Sequence, residues 1–130
     1  DWFDGGAGNA TLIGDNGNDT VNGGAGGDLF VGVTGKDIFV FTDLGGIDEI
    51  ADFKKNQDKI DLSDLDAING DAMDSFNWIG SASFSNTAGE LRAYSAGGDN
   101  YLVGDTDGDG VADFTIVTNV LISQYDILFA

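Results

Sequence analysis

A nine-residue period runs from Gly5 to Val40 and constrains this chain more than any other feature. The four units read GGAGNATLI, GDNGNDTVN, GGAGGDLFV and GVTGKDIFV. Glycine holds the first position (Gly5, Gly14, Gly23, Gly32) and the fourth (Gly8, Gly17, Gly26, Gly35). A large apolar residue holds the eighth: Leu12, Val21, Phe30, Phe39. Aspartate holds the sixth in three units, as Asp19, Asp28 and Asp37, with Ala10 the exception. The glycines permit positive φ angles, so the first six residues read as a turn and the last three as a short strand. Alternation sends the middle strand residue inward and its neighbours outward. Two units make one coil, so units 18 residues apart stack in parallel at roughly 4.8 Å. The expected fold is all-β: a parallel β-roll (a solenoid of nonapeptides), capped by an antiparallel β-sheet with one or two short helices.

Stacked turns bring carbonyls and aspartate carboxylates from two layers within reach of one ion. Calcium suits such a cage, with its 6–8 oxygen ligands at about 2.3–2.6 Å. Magnesium keeps more of its water, and zinc prefers nitrogen or sulfur. A flexible glycine-rich linker would not place an apolar residue at every ninth position.

Charge agrees with this reading. Acidic residues outnumber basic ones 23 to 5 in 130 residues, for a net charge of −18. Nucleic acid and anionic membrane surfaces are poor partners for such a chain. No apolar run is long enough for stable membrane insertion. With 42% hydrophobic residues the chain is too apolar to be an acidic disordered tail. Folding must therefore gather many carboxylates, and bound cations offset their repulsion. The absence of cysteine and histidine removes disulfides, thiolate metal sites and the commonest general base.

GGAGGDLFV and GDNGNDTVN resemble the calcium-binding nonapeptide GGxGxDxUx of RTX (repeats-in-toxin) proteins. The resemblance implies calcium held between successive turns on each edge of a β-roll. One site would join the Gly14–Asp19 turn to the Gly32–Asp37 turn, using Gly14, Asn16, Asp19, Val33, Gly35 and Asp37. Another would join the Gly5–Ala10 turn to the Gly23–Asp28 turn, using Gly5, Ala7, Gly24, Gly26 and Asp28. Ala10 removes one carboxylate there, so that site should be weaker. Gly23, Ala25 and Asp28 would face the next layer, where Asp48 either completes a last edge site or is an exposed loop aspartate. Asp43 and Asp52 are weaker candidates. Asp1, Phe3 and Asp4 fit positions six, eight and nine of an earlier unit, which adds Asp1 to the ligand set. The chain is thus expected to be the C-terminal piece of a longer protein. Val33 and Asp15 replace the second glycine of their units, so those turns should be slightly altered.

The roll is expected to cover residues 1–52 and a β-rich capping region residues 53–130. Ile60 and Leu62 alternate with acidic residues as in a strand, and Ser63 should cap a short helix through Ile68. Asp64 and Asp66 read as a solvated face. Strands are expected at Phe76–Ile79, Glu90–Tyr94, Tyr101–Val103, Phe114–Thr118 and Ile127–Phe129. They should form an antiparallel sheet packed on the open end of the roll, since a solenoid end exposes unpaired edges. Trp78 and Phe84 read as core. Asp105, Asp107, Asp109 and Asp113 form DxDxDGxxD, which matches the first half of an EF-hand loop but lacks the glutamate at its twelfth position. Similar loops bind calcium in the hairpins of integrin α-subunit propellers; the alternative is a plain acidic turn. The sequons at Asn9 and Asn18 carry no evident function.

ADFKKNQDKIDLSDLDA, FNWIGSASFSNTAGELRAY and DTDGDGVADFTI resemble the region that follows the roll in serralysin-type secreted metalloproteases. The zinc motif of the serralysin catalytic half is absent. The resemblance implies a non-catalytic, monomeric, extracellular module of a bacterial protein that folds on calcium and supports an upstream domain. Residues 121–130, ending Tyr125-Asp126-Ile127-Leu128-Phe129-Ala130, resemble an uncleaved signal for the type I secretion machinery. The rival reading is a polysaccharide-binding R-module like those of secreted alginate epimerases, or the terminal module of an RTX adhesin. A basic groove would favour the R-module, and the roll offers only Lys36.

Overall fold

The computed structural model describes residues 1–43, 45–70 and 73–129. The repeats fold as their spacing dictates. β1 (Trp2–Asp4), β2 (Thr11–Ile13), β3 (Thr20–Asn22), β4 (Leu29–Val31) and β5 (Ile38–Val40) are three-residue strands. Each turn between them crosses from one sheet to the other. Odd and even strands therefore build two facing sheets, paired in parallel with an offset of 18 residues: Val21 sits opposite Phe39, and Leu12 opposite Phe30. Val21, Phe30 and Phe39 are buried between the sheets, while Phe3 and Leu12 pack half-buried below them.

The period then loosens. β6 (Ile47–Ile50) pairs with β4 at an offset of 20, and β7 (Lys59–Asp61) pairs with β5 at 21. The longer coil makes room for Phe41 and Phe53, whose rings lie 5.2 Å from Phe30 and 6.3 Å from Phe39. Each buried ring contributes roughly 1.5–3 kcal/mol.

The remaining strands are β8 (Asn77–Trp78), β9 (Glu90–Ala96), β10 (Asp99–Asp105), β11 (Phe114–Thr118) and β12 (Ile127–Leu128). β9, β10 and β11 form the expected antiparallel meander. They do not lie across the roll's end as a separate layer. β11 pairs in parallel with β6, and β12 pairs in parallel with β7, so both roll sheets run on into the cap. The sheet orders are β1-β3-β5-β7-β12 and β2-β4-β6-β11-β10-β9-β8. Parallel addition satisfies the exposed backbone of β6 and β7 directly, which an overlying sheet would not.

Two local expectations fail. Ser63 caps no helix: residues 62–70 are turns, because the Asp61 carboxylate takes the Ser63 N–H and hydroxyl and Asp66 takes the Ile68 and Asp74 N–H groups. Such local bonds compete with helix. Asp66 therefore organises a turn, while Asp64 is exposed as expected. Among the described residues the one helical segment is the 3-10 turn Gln124–Asp126. Trp78 packs against the core, but Phe84 does not; its ring lies under the Arg92 guanidinium, 5.7 Å from its centroid.

Candidate metal centre

Turns stack on two edges. Residues 5–10 and 23–28 lie on one, bridged at Ala7 and Ala25; residues 14–19 and 32–37 lie on the other, bridged at Asn16 and Thr34. Asp15 and Val33 keep the second-position backbone at φ 68° and 73°, so both turns retain the glycine shape despite their side chains. For β-branched Val33 this is a strained conformation. The sequon residues Asn9 and Asn18 have structural work. Their side-chain oxygens accept the Gly27 and Lys36 N–H groups of the next layer, at 2.9 and 2.8 Å.

The sixth positions form two ladders. Asp28 Oδ1 accepts the Ala10 N–H at 2.8 Å, and Asp48 Oδ1 accepts the Asp28 N–H at 2.8 Å. On the other edge Asp19 Oδ1 accepts from the Asp1 amino group, Asp37 Oδ1 from Asp19 N–H and Asp58 Oδ1 from Asp37 N–H. Asp48 is buried on β6, which excludes the exposed-loop alternative. Asp58 escaped the sequence reading because it lies 21 residues past Asp37 rather than 18. The signal was the apolar register of Ile60 with Phe39. Asp52, a weaker candidate by sequence, holds the turn: its carboxylate accepts both Gly32 and Val33 N–H groups, at 2.9 and 2.7 Å.

In the three repeats with a sixth-position aspartate, one carboxylate oxygen is spent on its ladder and the other is left over. Oδ2 of Asp19, Asp28 and Asp37 is buried with no hydrogen-bond partner. Each of these oxygens lies over the first glycine of its own turn. A methyl on Gly14, Gly23 or Gly32 would sit 2.7, 2.2 or 2.2 Å from it. The first-position glycine is therefore needed for space. A buried, unpartnered carboxylate oxygen is costly, and a cation is the natural complement to several in a row.

The acid constants register the same shortage. Burial pushes Asp37 up, against the Asp19 N–H that lowers it, and the Asp58 and Asp19 charges push it further. Burial is also the main cause that takes Asp48 to about 6, with the Asp28 and Asp43 charges adding to it. These donors fit calcium: hard oxygens, carboxylates from adjacent layers, and no nitrogen or sulfur ligand. Asp19, Asp28, Asp37 and Asp48 would hold it, with turn carbonyls.

The hairpin between β10 and β11 gathers a second acidic group. Ligand oxygens of Asp105, Asp107 and Asp109 lie within 4.8 Å of one another. Asp105 is fully buried. Burial raises its acid constant, but N–H groups of Gly110 and Gly108 outweigh it, and the net direction is down. Asp113 stands apart from the three; it holds the loop, accepting from Thr106 N–H and hydroxyl and from Asp107 N–H.

Fold and site together define a calcium-binding β-roll module of the RTX type. The chain belongs to the family described as peptidase M10 serralysin C terminal, whose model matches residues 4–129. Two solved structures from the Azotobacter vinelandii mannuronan C5-epimerase are similar over the whole chain. The AlgE6R3 subunit shares 28% identity at a TM-score of 0.57, with 80% of its own length covered. The AlgE6R2 subunit shares 25% at 0.64, with 88% covered. No curated protein matches the chain. Family and neighbours alike are non-catalytic modules, so the chain itself is not an enzyme.

Proposed function

We propose that this chain is the calcium-triggered folding module of a secreted bacterial protein, exported by a type I machinery and supporting a domain upstream. The observation that carries this is the set of buried, unpartnered oxygens on Asp19 and Asp37 along one edge and Asp28 along the other. Without cations these carboxylates repel one another and resist folding; extracellular calcium, at roughly 10⁻⁴–10⁻³ M affinity for such modules, reverses that. We assign residues 1–52 to the roll and 53–130 to the region that closes it, whose first strand, β7, continues the roll's sheet. The ligands would be the carboxylates named above together with the carbonyls of Gly5, Ala7, Gly14, Asn16, Gly23, Gly24, Ala25, Gly26, Val33 and Gly35, and Asp1 where a layer precedes it. The Asp105–Asp109 loop is a further calcium candidate, and Asp113 shapes it.

A calcium titration followed by circular dichroism tests the trigger. Strand signal should grow with calcium, and Asp28→Ala should raise the calcium required by about tenfold or more, since one charged ligand serves two layers. Asp4→Ala should leave the titration unchanged, because Asp4 only accepts the Gly6 N–H at an exposed turn. A complete roll in excess chelator would refute the trigger.

Export adds a separate expectation. β12 and Asp126 are held on the roll by Lys55, which contacts the Asp126 carboxylate, and by Lys59, which donates to the Tyr125 carbonyl. Ala130 of the proposed signal lies outside the described residues. In the unfolded chain this segment would be free for the exporter. Deleting residues 126–130 from the parent protein should stop its secretion while calcium still folds the roll. Normal secretion of that truncation would reduce the segment to an edge strand.

The similarity to epimerase R-subunits keeps polysaccharide binding as the rival. Arg92, stacked on Tyr94 at 4.2 Å, with Tyr94 stacked on Tyr101 at 5.2 Å, offers a cation and aromatic faces to a uronate chain. Retardation of the module in an alginate gel with calcium would favour that reading.

A further inference from the structure

Two Asn-Gly pairs lie in the roll, Asn16–Gly17 and Asn22–Gly23. Asparagine before glycine is the pair most prone to deamidation, because no Cβ shields the following nitrogen from the side chain. The glycine nitrogen attacks the asparagine Cγ. A C–N bond forms, that nitrogen gives up its proton, and the side-chain nitrogen leaves as ammonia. Water then opens the succinimide at one carbonyl to aspartate or at the other to isoaspartate. In isoaspartate the main chain runs through the β-carbon and is longer by a methylene.

The folded roll opposes this attack at both pairs. Asn22 ends β3, an extended strand paired on both sides by β1 and β5. Its Oδ1 accepts the Gly24 N–H at 3.0 Å, and Gly23 is buried. Asn16 and Gly17 are both exposed, so burial does not protect them. The next layer holds them instead. The Gly17 N–H donates to the Thr34 carbonyl at 3.1 Å, and Asn16 Oδ1 accepts the Thr34 hydroxyl at 2.8 Å. Attacking nitrogen and attacked carboxamide are thus both tied to Thr34, across the parallel bridge of Asn16 with Thr34. These bonds exist only while the two turns are stacked.

We propose that Asn16–Gly17 is a deamidation site that the stacked roll shields, and that its isoaspartate product no longer enters the roll. The proposal rests on the calcium reading above, since calcium decides whether the turns stack. Geometry separates the two products. Aspartate at 16 keeps the backbone and an oxygen for the Thr34 hydroxyl, so that turn still stacks. Isoaspartate lengthens the backbone where the layers are closest. Thr34 N–H reaches the Asp15 carbonyl at 3.1 Å on one side of residue 16, and Gly17 N–H reaches the Thr34 carbonyl on the other. A methyl on Gly35 would already lie 1.9 Å from the Gly17 carbonyl oxygen. A methylene added between those two bonds breaks their register. Time spent without calcium is thus recorded in the chain, and calcium stops the record by stacking the turns.

Peptide mapping by mass spectrometry, after incubation in mildly alkaline buffer with calcium or with chelator, tests this. Deamidation at Asn16 should be at least about tenfold slower in calcium, since the folded chain reacts only on local opening. The chelator-treated chain is then returned to calcium, and folded and unfolded pools are separated by size. Isoaspartate at 16 should collect in the unfolded pool, while aspartate at 16 should be found in the folded one. Asn16→Asp should form the roll in calcium, which separates the added charge from the altered backbone. Equal rates in calcium and chelator would overturn the shielding. Isoaspartate at 16 in the folded pool, or failure of Asn16→Asp to fold, would overturn the account of the product. If the wild-type chain is folded in chelator as well, the calcium reading falls. The same comparison between native and urea-unfolded chains then judges the asparagine.

Discussion

Gly35→Ala should abolish the folded roll under conditions in which Gly17→Ala is tolerated. The two glycines hold the same place in adjacent coils and nearly the same backbone, at φ 121° and 116°. Either alanine therefore bears the cost of a left-handed backbone, about 1–2 kcal/mol. The difference is what a methyl would meet. At Gly17 nothing lies within 4 Å, whereas at Gly35 the carbonyl oxygen and carbon of Gly17 lie at 1.9 and 2.5 Å. That obstacle is backbone, held in the stack by the Gly17 N–H bond to Thr34, and it cannot step aside as a side chain would. The loss at Gly35 should exceed about 4 kcal/mol, a large share of a small domain's stability. Urea unfolding in saturating calcium reads both variants. Equal losses would mean that the layers do not approach as closely as described.

In chelator, acid should favour the fold: the strand signal by circular dichroism should be larger near pH 5 than near pH 7.5. Asp48 ordinarily titrates at 3.8 and is raised to about 6 in the ion-free fold, with burial the main cause. A raised folded value means that the folded chain holds the proton more tightly than the unfolded one. Its stabilisation is complete below the unfolded value and is lost as pH rises through about 6, a change of about 3 kcal/mol. Asp37 is shifted the same way by burial. Asp105 and Asp126 are shifted down despite their burial, by the Gly110 and Gly108 N–H groups and by Lys55 respectively. Their stabilisation persists until pH falls below the ordinary carboxylate range, so it does not offset the trend near pH 5. Calcium reverses the sign, because the ion needs the carboxylates that acid protonates. Asp48→Asn should flatten the dependence in chelator. A strand signal in chelator that rises from pH 5 to 7.5 would contradict the assignment.

The roll was legible because its code is local. One period fixes turn, strand, inward residue and stacking offset together, and Phe30, Phe39 and the sixth-position ladder follow from it. Legibility ended where the period stretched. Asp58 performs for Asp37 what Asp37 performs for Asp19, but three extra residues hid it from a rule written in eighteens. The cap strands could be read from their branched and aromatic residues, yet their partners could not. Nothing local to Phe114–Thr118 says that it pairs with Ile47–Ile50, more than sixty residues earlier. The helix expected after Ser63 failed for a similar reason. Its capping residue was claimed by Asp61, and the choice between cap and turn was settled by the β7 strand that fixes Asp61 in place.

The uniform offset of the early coils has a consequence for how such a chain can change its length. β1, β3 and β5, like β2 and β4, repeat at 18 residues, and only β6 and β7 break that step. Duplicating one coil, for instance residues 14–31, would insert two strands and two turns that meet neighbours of their own kind. Every contact of β6, β7 and the cap would be left as it was. The duplication would lift whatever stands on the far end by roughly 4.8 Å. Length can therefore be inherited in whole rungs, and the roll serves as a spacer that gene duplication adjusts in discrete steps.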